Sequence, residues 1–223
     1  MNFEGIIEYS PLFLTGIVTT VLLALSSLAL GLLGGILLAL AKLSSIWPLR
    51  ALANVFSDFF RGIPEILVLM VVFFALPVVL ADLTGTYVEI TPFVAGLLTL
   101  SIAFASFASE TIRAAFQAIS KGELEAAAVY GFSDWQVFYR IKLPLMWRNA
   151  VPGLGNIWQT MLKDTALISV IGLSDVMRAA KAGGDAFRDP FSFLLVAALI
   201  YLVITLFSEA VQRRLEAHLR QEA

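Results

Sequence analysis

Long uncharged stretches dominate the chain, and acidic and basic residues fall mostly at their ends. Tyr9 to Ala41 runs 33 residues without a charge, about 50 Å as a helix at ~1.5 Å per residue. A hydrocarbon core of about 30 Å needs roughly 20 residues, so this stretch predicts a first span over Leu14 to Leu40, tilted or projecting. Ile90 to Ser109 and Pro190 to Ser208 are also of spanning length. Ile66 to Ala81 is shorter and is extended upstream by Ala51 to Phe60, which holds only Asp58. Asn149 to Ser174 reads as a span interrupted by Lys163 and Asp164. The pattern predicts an all-α integral membrane protein with about five spanning helices.

Composition agrees. Hydrophobic residues make up 59% of the chain and charged residues 14%, with a mean hydropathy of +0.87. Soluble domains carry about 25% charged residues, so part of this surface must face lipid. Cysteine is absent, which excludes a disulfide scaffold and any thiolate metal site. The single histidine, His218, has no second imidazole with which to share a metal. A net charge of -2 argues against nucleic acid as a partner. The first eleven residues hold Glu4 and Glu8 but no Lys or Arg, unlike a cleaved signal peptide.

Lys and Arg placement sets the expected orientation. With the N-terminus outside, the inner segments hold Lys42, Arg50, Arg113, Lys121, Arg140, Lys142, Arg148, Arg213, Arg214 and Arg220. The outer ones hold only Arg178, Lys181 and Arg188. The expected layout is a periplasmic segment over 1–13, a membrane domain over 14–214 and a cytoplasmic tail over 215–223. A long cytoplasmic loop is expected over about 113–148. Gly31 and Gly35 on the first span, and Ala105 and Ser109 on the third, repeat a small-x-x-x-small spacing that lets helix backbones approach closely in lipid.

The loop predicts structure of its own. Ser120 with Glu123 is a capping box at a helix start. Lys121 to Tyr130 is rich in helix formers, and Gly131 sits where a left-handed terminating residue belongs. Ser133 with Gln136 repeats the cap for a second short helix towards Arg140, which Leu143-Pro144 is expected to end.

The stretch EAAAVYGFSDWQVFYRIKLP, Glu125 to Pro144, fits the pattern E-A-A, three residues, G, nine residues, I-x-L-P at every fixed position. It resembles the signature of the inner-membrane permease subunits of binding-protein-dependent ABC importers. FRGIPEILVL from Phe60, SETIRAAFQAISKGELEAA from Ser109 and GNIWQTMLKDTALISVIGL from Gly155 are similar to the polar amino-acid branch, in particular its Q-type permeases for histidine, basic amino acids and opines. The likeness covers about Leu14 to Arg214. Ile63 departs from it, because many relatives have a small or hydroxyl residue after R-G.

The resemblance implies a type I ABC importer permease fold in a bacterial inner membrane, working by alternating access. It implies that Glu125, Ala126, Ala127, Gly131, Ile141, Leu143 and Pro144 form a coupling loop seated in a cytoplasmic ATPase dimer. ATP and Mg would be used by that partner and no cofactor by this chain, which lacks a G-x-x-x-x-G-K-[ST] loop. Implied partners are also a second permease subunit, homologous or identical, and a periplasmic amino-acid-binding protein. The other reading of the loop is an amphipathic helix resting on lipid headgroups.

Charges retained within apolar stretches are candidates for a substrate path. Lys163 and Asp164 could meet the carboxylate and ammonium of an amino acid, with Gln159 one turn away, or could neutralise each other as a packing pair. Arg61 and Glu65 flank Gly62 and Pro64, either at a broken helix facing the path or as an interfacial anchor. Glu110 lies three residues from Arg113 and either orients the loop or binds substrate. Basic amino acids are the expected cargo, with glutamate, glutamine or cystine as the alternative. An ATP-independent carrier and an intramembrane acid-base enzyme are rival classes, both disfavoured by the loop motif.

Overall fold

The computed structural model describes residues 3–221; the ends of the two terminal segments, 1–2 and 222–223, lie outside them. Ten α-helices follow in order among the described residues. They are α1 (Phe3–Glu8), α2 (Ser10–Leu43), α3 (Trp47–Gly62), α4 (Glu65–Thr84), α5 (Pro92–Gln117), α6 (Lys121–Val129), α7 (Asp134–Val137), α8 (Leu143–Asp164), α9 (Val176–Phe187) and α10 (Pro190–Gln221). Four are long and apolar enough to cross a membrane: α2, α4, α5 and α10. The fifth expected span is α8, which has the length at 22 residues but carries Arg148, Asn149, Asn156, Gln159, Lys163 and Asp164. It packs between α5 and α10, which gives Asn149 and Gln159 protein partners.

Helix α5 is the centre. In its most apolar window 56% of residues are buried, against 17–28% in the other three apolar helices. Helix α2 lies along it and buries one stripe that includes Gly16, Thr20, Leu23, Ser27, Gly31, Gly35, Ala39 and Lys42. The three- and four-residue steps of that stripe are those of one helix face, and Leu14, Val18, Leu22, Leu25, Leu30, Leu33 and Leu37 point outward. A Cβ at Gly31 would lie 2.9 Å from the Phe104 Cβ, and one at Gly35 would lie 2.9 Å from the Ala108 Cβ. The two small residues therefore let the backbones touch.

Proline explains two departures from the expected pattern. The stretch upstream of Ile66 does not extend a span; it is the separate helix α3. Ile63 is extended (φ -108°, ψ 133°) before Pro64, and α4 starts afresh at Glu65. Steric conflict with a following proline ring disfavours helical backbone at Ile63. The second short loop helix, in turn, does not stop at Leu143-Pro144. Residues Phe138–Lys142 form a π-helical turn in which Leu143 N–H donates to the Phe138 carbonyl, five residues back. That register shift lets Pro144 sit in the first turn of α8, where its missing N–H is tolerated. Val71–Ala75 makes the same accommodation ahead of Pro77 inside α4. Helix α10 continues unbroken through residue 214 to Gln221.

After Asp164 the chain tightens into a 3₁₀ turn, Thr165–Ile171, closed by Gly172 at φ +98°. Helix α9 then packs on α2 and α10 through Val176, Ala179, Ala180 and Phe193, with Tyr9, Phe13 and Phe187 around them.

Candidate functional site

The loop between α5 and α8 is built from its caps outward. Ser120 Oγ accepts the Glu123 N–H (3.3 Å) while the Glu123 carboxylate accepts the Ser120 N–H (3.1 Å), so both backbone donors at the start of α6 are satisfied. At the other end Phe132 N–H donates to the Ala127 carbonyl (3.2 Å) across Gly131, whose φ is +74°. A glycine there avoids the Cβ penalty of left-handed backbone. Ser133 and Gln136 close a second capping box. The outcome is two short helices at an angle, folded back over the start of α8.

This fold brings much of the motif to one place. Ala126, Ala127, Ile141 and Pro144 line an open hollow of about 420 Å³, with Glu123, Tyr130 and Arg140 on its walls. Glu125 and Gly131 lie beside it, and Leu143 opens α8. Val129 and Tyr130 are 87% and 82% exposed, and Trp135 is 68% exposed. Apolar side chains this bare, outside the spanning helices, are the kind of surface a partner covers.

A second cavity, of about 230 Å³, lies between α4, α5 and α8. Its walls are mostly apolar: Leu100, Ala103, Phe104, Phe107, Ile157 and Met161. Its polar groups are Glu65, Asn156, Thr160 and Asp164, and no basic residue lines it among the described residues. Asn156, Thr160 and Asp164 are spaced by four along α8 and share one face. Glu65 joins them because the Ile63-Pro64 break places the first turn of α4 against α5 and the 3₁₀ turn.

The remaining candidates are elsewhere. Lys163 is exposed and off the cavity, a hundred degrees of helix away from Asp164. Gln159 faces α10, where its amide donates to Ser208 Oγ (3.2 Å) and Gln212 Oε1 (3.4 Å). Arg61 pairs with Asp58 at 2.7 Å on α3. Glu110 accepts from Arg113 Nε (2.9 Å) and Nη2 (2.7 Å), and from Lys42 Nζ on α2 (2.6 Å).

Sequence reasoning passed over Lys42, Asn156 and Thr160. The last two carried a usable signal, a polar step of four running into Asp164. Lys42 ended an apolar stretch and counted only among the inner-segment charges that set the orientation.

The family described as the binding-protein-dependent transport system inner membrane component matches residues 31–221. The chain belongs to this family. It is 40% identical to the histidine/lysine/arginine/ornithine transport system permease protein HisQ of Salmonella typhimurium, over 93% of each chain. It is also 40% identical to the arginine ABC transporter permease protein ArtQ of Haemophilus influenzae, over 94% of each. Among solved structures, that of an amino acid ABC transporter with histidines superposes with a TM-score of 0.87 at 30% identity, covering 98% of this chain and 99% of the other. A membrane component of such a transporter is a permease subunit and not a catalytic one.

Proposed function

We propose that this chain is one permease half of an ABC importer for basic amino acids, taking cationic solutes from periplasm to cytoplasm. The N-terminus faces the periplasm and the C-terminus the cytoplasm of a bacterial inner membrane, in keeping with the Lys and Arg bias. A second, homologous permease subunit completes the path, a periplasmic binding protein delivers the solute, and a cytoplasmic ATPase dimer drives alternating access. The loop over about 113–148 is the surface that dimer pushes, with Glu125, Ala126, Ala127, Gly131, Ile141, Leu143 and Pro144 at the contact.

One observation carries the choice of cargo. Among the described residues, Glu65 and Asp164 line the same cavity with no cation on its walls, Lys163 beside Asp164 lying off it. Two carboxylates in apolar surroundings favour a cationic occupant, because each charge is costly there unless it is paired. Asn156 and Thr160 add uncharged hydrogen-bond partners that can orient it. At about 230 Å³ the space suits a single small solute, below the range of drug-sized pockets. In this reading Lys163, Gln159, Arg61 and Glu110 support helix packing and do not contact the solute.

The test is uptake of labelled arginine and glutamine by proteoliposomes holding the chain with its partner permease, ATPase and binding protein. Losing a charge-assisted hydrogen bond costs about 1.5–3 kcal/mol, roughly ten- to 150-fold. Asp164→Asn and Glu65→Gln are each expected to weaken arginine uptake by that factor, whereas Lys163→Gln leaves it within about twofold. Equal arginine uptake in all three variants would remove the cavity from the solute path.

A further inference from the structure

Lys42 is a buried charge at the last turn of α2, its side chain 0% exposed. Its ammonium donates to Ser109 Oγ at 2.8 Å and to Glu110 Oε1 at 2.6 Å, both on α5. The other Glu110 oxygen is held by the fork of Arg113, and Arg113 Nη1 reaches on to Gln117 Oε1 at 3.1 Å. Gln117 is the last residue of α5, and α6 begins at Lys121. A continuous chain of polar contacts therefore runs from α2 to the root of the loop.

We infer that Lys42 is a positioning residue that fastens α2 to the loop-bearing end of α5, so that a push on the loop moves the two helices as one body. The inference rests on the proposed reading that a partner ATPase pushes this loop. Upstream of Lys42, contact between α2 and α5 rests mainly on shape, Gly31 against Phe104 and Gly35 against Ala108, with one long hydrogen bond donated by Ser101 Oγ to the Ser27 carbonyl at 3.4 Å. Such a seam resists separation but lets one helix slide along the other. At the end nearest the loop a charge-assisted contact with fixed geometry takes over, and sliding there would leave Lys42 buried without its carboxylate while Glu110 keeps Arg113. On the opposite side Asn149 Nδ2 of α8 reaches the Ala115 carbonyl at 3.5 Å. The end of α5 is tied on both flanks.

The inference predicts lost coupling and not lost hydrolysis. In proteoliposomes of the complete transporter, ATP hydrolysis and labelled arginine uptake are measured in the same vesicles for wild type, Lys42→Met, Lys42→Arg and Glu110→Gln. Lys42→Met is expected to raise the ATP consumed per solute roughly ten-fold while hydrolysis stays within about twofold. Lys42→Arg, which keeps a donor to both partners, is expected to restore most of the ratio, and Glu110→Gln to raise it by a smaller factor. If Lys42→Met does not assemble, Glu110→Gln alone decides. An unchanged ratio in the assembled variants, with wild-type uptake dependent on ATP, would overturn this inference and leave the proposed function standing. Wild-type uptake that continues without the ATPase would overturn both.

Discussion

Exchanging Gly35 and Ala108 tests whether the α2–α5 seam is set by backbone approach. A Cβ on Gly35 would lie 2.9 Å from the Ala108 Cβ and 3.4 Å from the Ala105 carbonyl oxygen. Carbon atoms prefer about 3.5–4.0 Å, so Gly35→Ala must drive the helices apart by roughly 0.6–1.1 Å. No flexible side-chain end is there to give way. Overpacking of this kind costs about 1–3 kcal/mol, partly offset by the ~1 kcal/mol that alanine gains over glycine inside a helix. Ala108→Gly loses that same helix preference and opens a void. The double variant carries one glycine and one alanine across the same gap, so the propensity changes cancel and the clash is gone. Its stability should match wild type within about 0.5 kcal/mol, with a coupling energy of about 1–3 kcal/mol between the sites. Denaturant unfolding in mixed micelles, followed by tryptophan fluorescence, measures all four corners of the cycle. Gly62→Ala is the control, because a Cβ there meets nothing within 4 Å. Additive single effects, or a destabilised double variant, would refute the close-approach account.

Two further outcomes are expected. Gly131 has φ +74° with open space around a Cβ, so Gly131→Ala suffers only the left-handed backbone penalty of about 1–2 kcal/mol; ATPase binding by the reconstituted permease should weaken, and Gly131→Asn should retain more of it than Gly131→Ala. Asp175, in the turn before α9 and outside the spanning helices, is 1% exposed, and burial pushes its carboxyl up to about 6, against the opposing pull of backbone N–H groups led by that of Arg178. The folded chain thus holds this proton more tightly than the unfolded chain, so its stabilising effect is full below pH 3.8 and is lost as pH rises through about 6. Melting temperature should fall as pH rises from about 3.8 to about 6, by an amount on the order of 3 kcal/mol in stability. Asp175→Asn, which keeps an oxygen to accept the Arg178 N–H, should flatten that fall.

What the sequence made legible was local. Ser120 with Glu123, Gly131 and Ser133 with Gln136 act within one helical turn, and the structure forms each of these caps. Spanning stretches were legible because hydropathy sums over some 20 residues. In the sequence Pro64 leaves a broken helix and an interfacial anchor both open, and Pro144 reads as a stop, which it is not, because a π-helical turn can absorb its missing donor and the turn leaves no residue signature. The acidic cavity was legible only by half. Asp164 stood out as a charge in an apolar run, but its companion Glu65 lies about a hundred positions earlier, and only packing against α5 brings the two together. Lys163 stood out equally and points elsewhere, since adjacent residues on a helix cannot share a face.

The placement of α8 ties these parts into one argument. Its polar residues divide between two faces: Asn156, Thr160 and Asp164 towards the cavity, and Trp158 and Gln159 towards α10, where the Trp158 indole donates to Ser208 Oγ at 2.6 Å. A helix polar on two sides cannot face lipid on either, which is why it sits among four apolar helices and does not meet the composition of a span on its own. Its first turn carries Pro144 of the loop motif and its last residue is Asp164, 20 positions and about 30 Å away. Helix α5 repeats the arrangement, with Leu100 and Phe104 on the cavity wall and Gln117 at the root of the loop. The loop is therefore the direct connection between two of the three helices that wall the cavity. A push on its hollow would reach the carboxylate at the far end of α8 along that helix, which carries Pro152 within it.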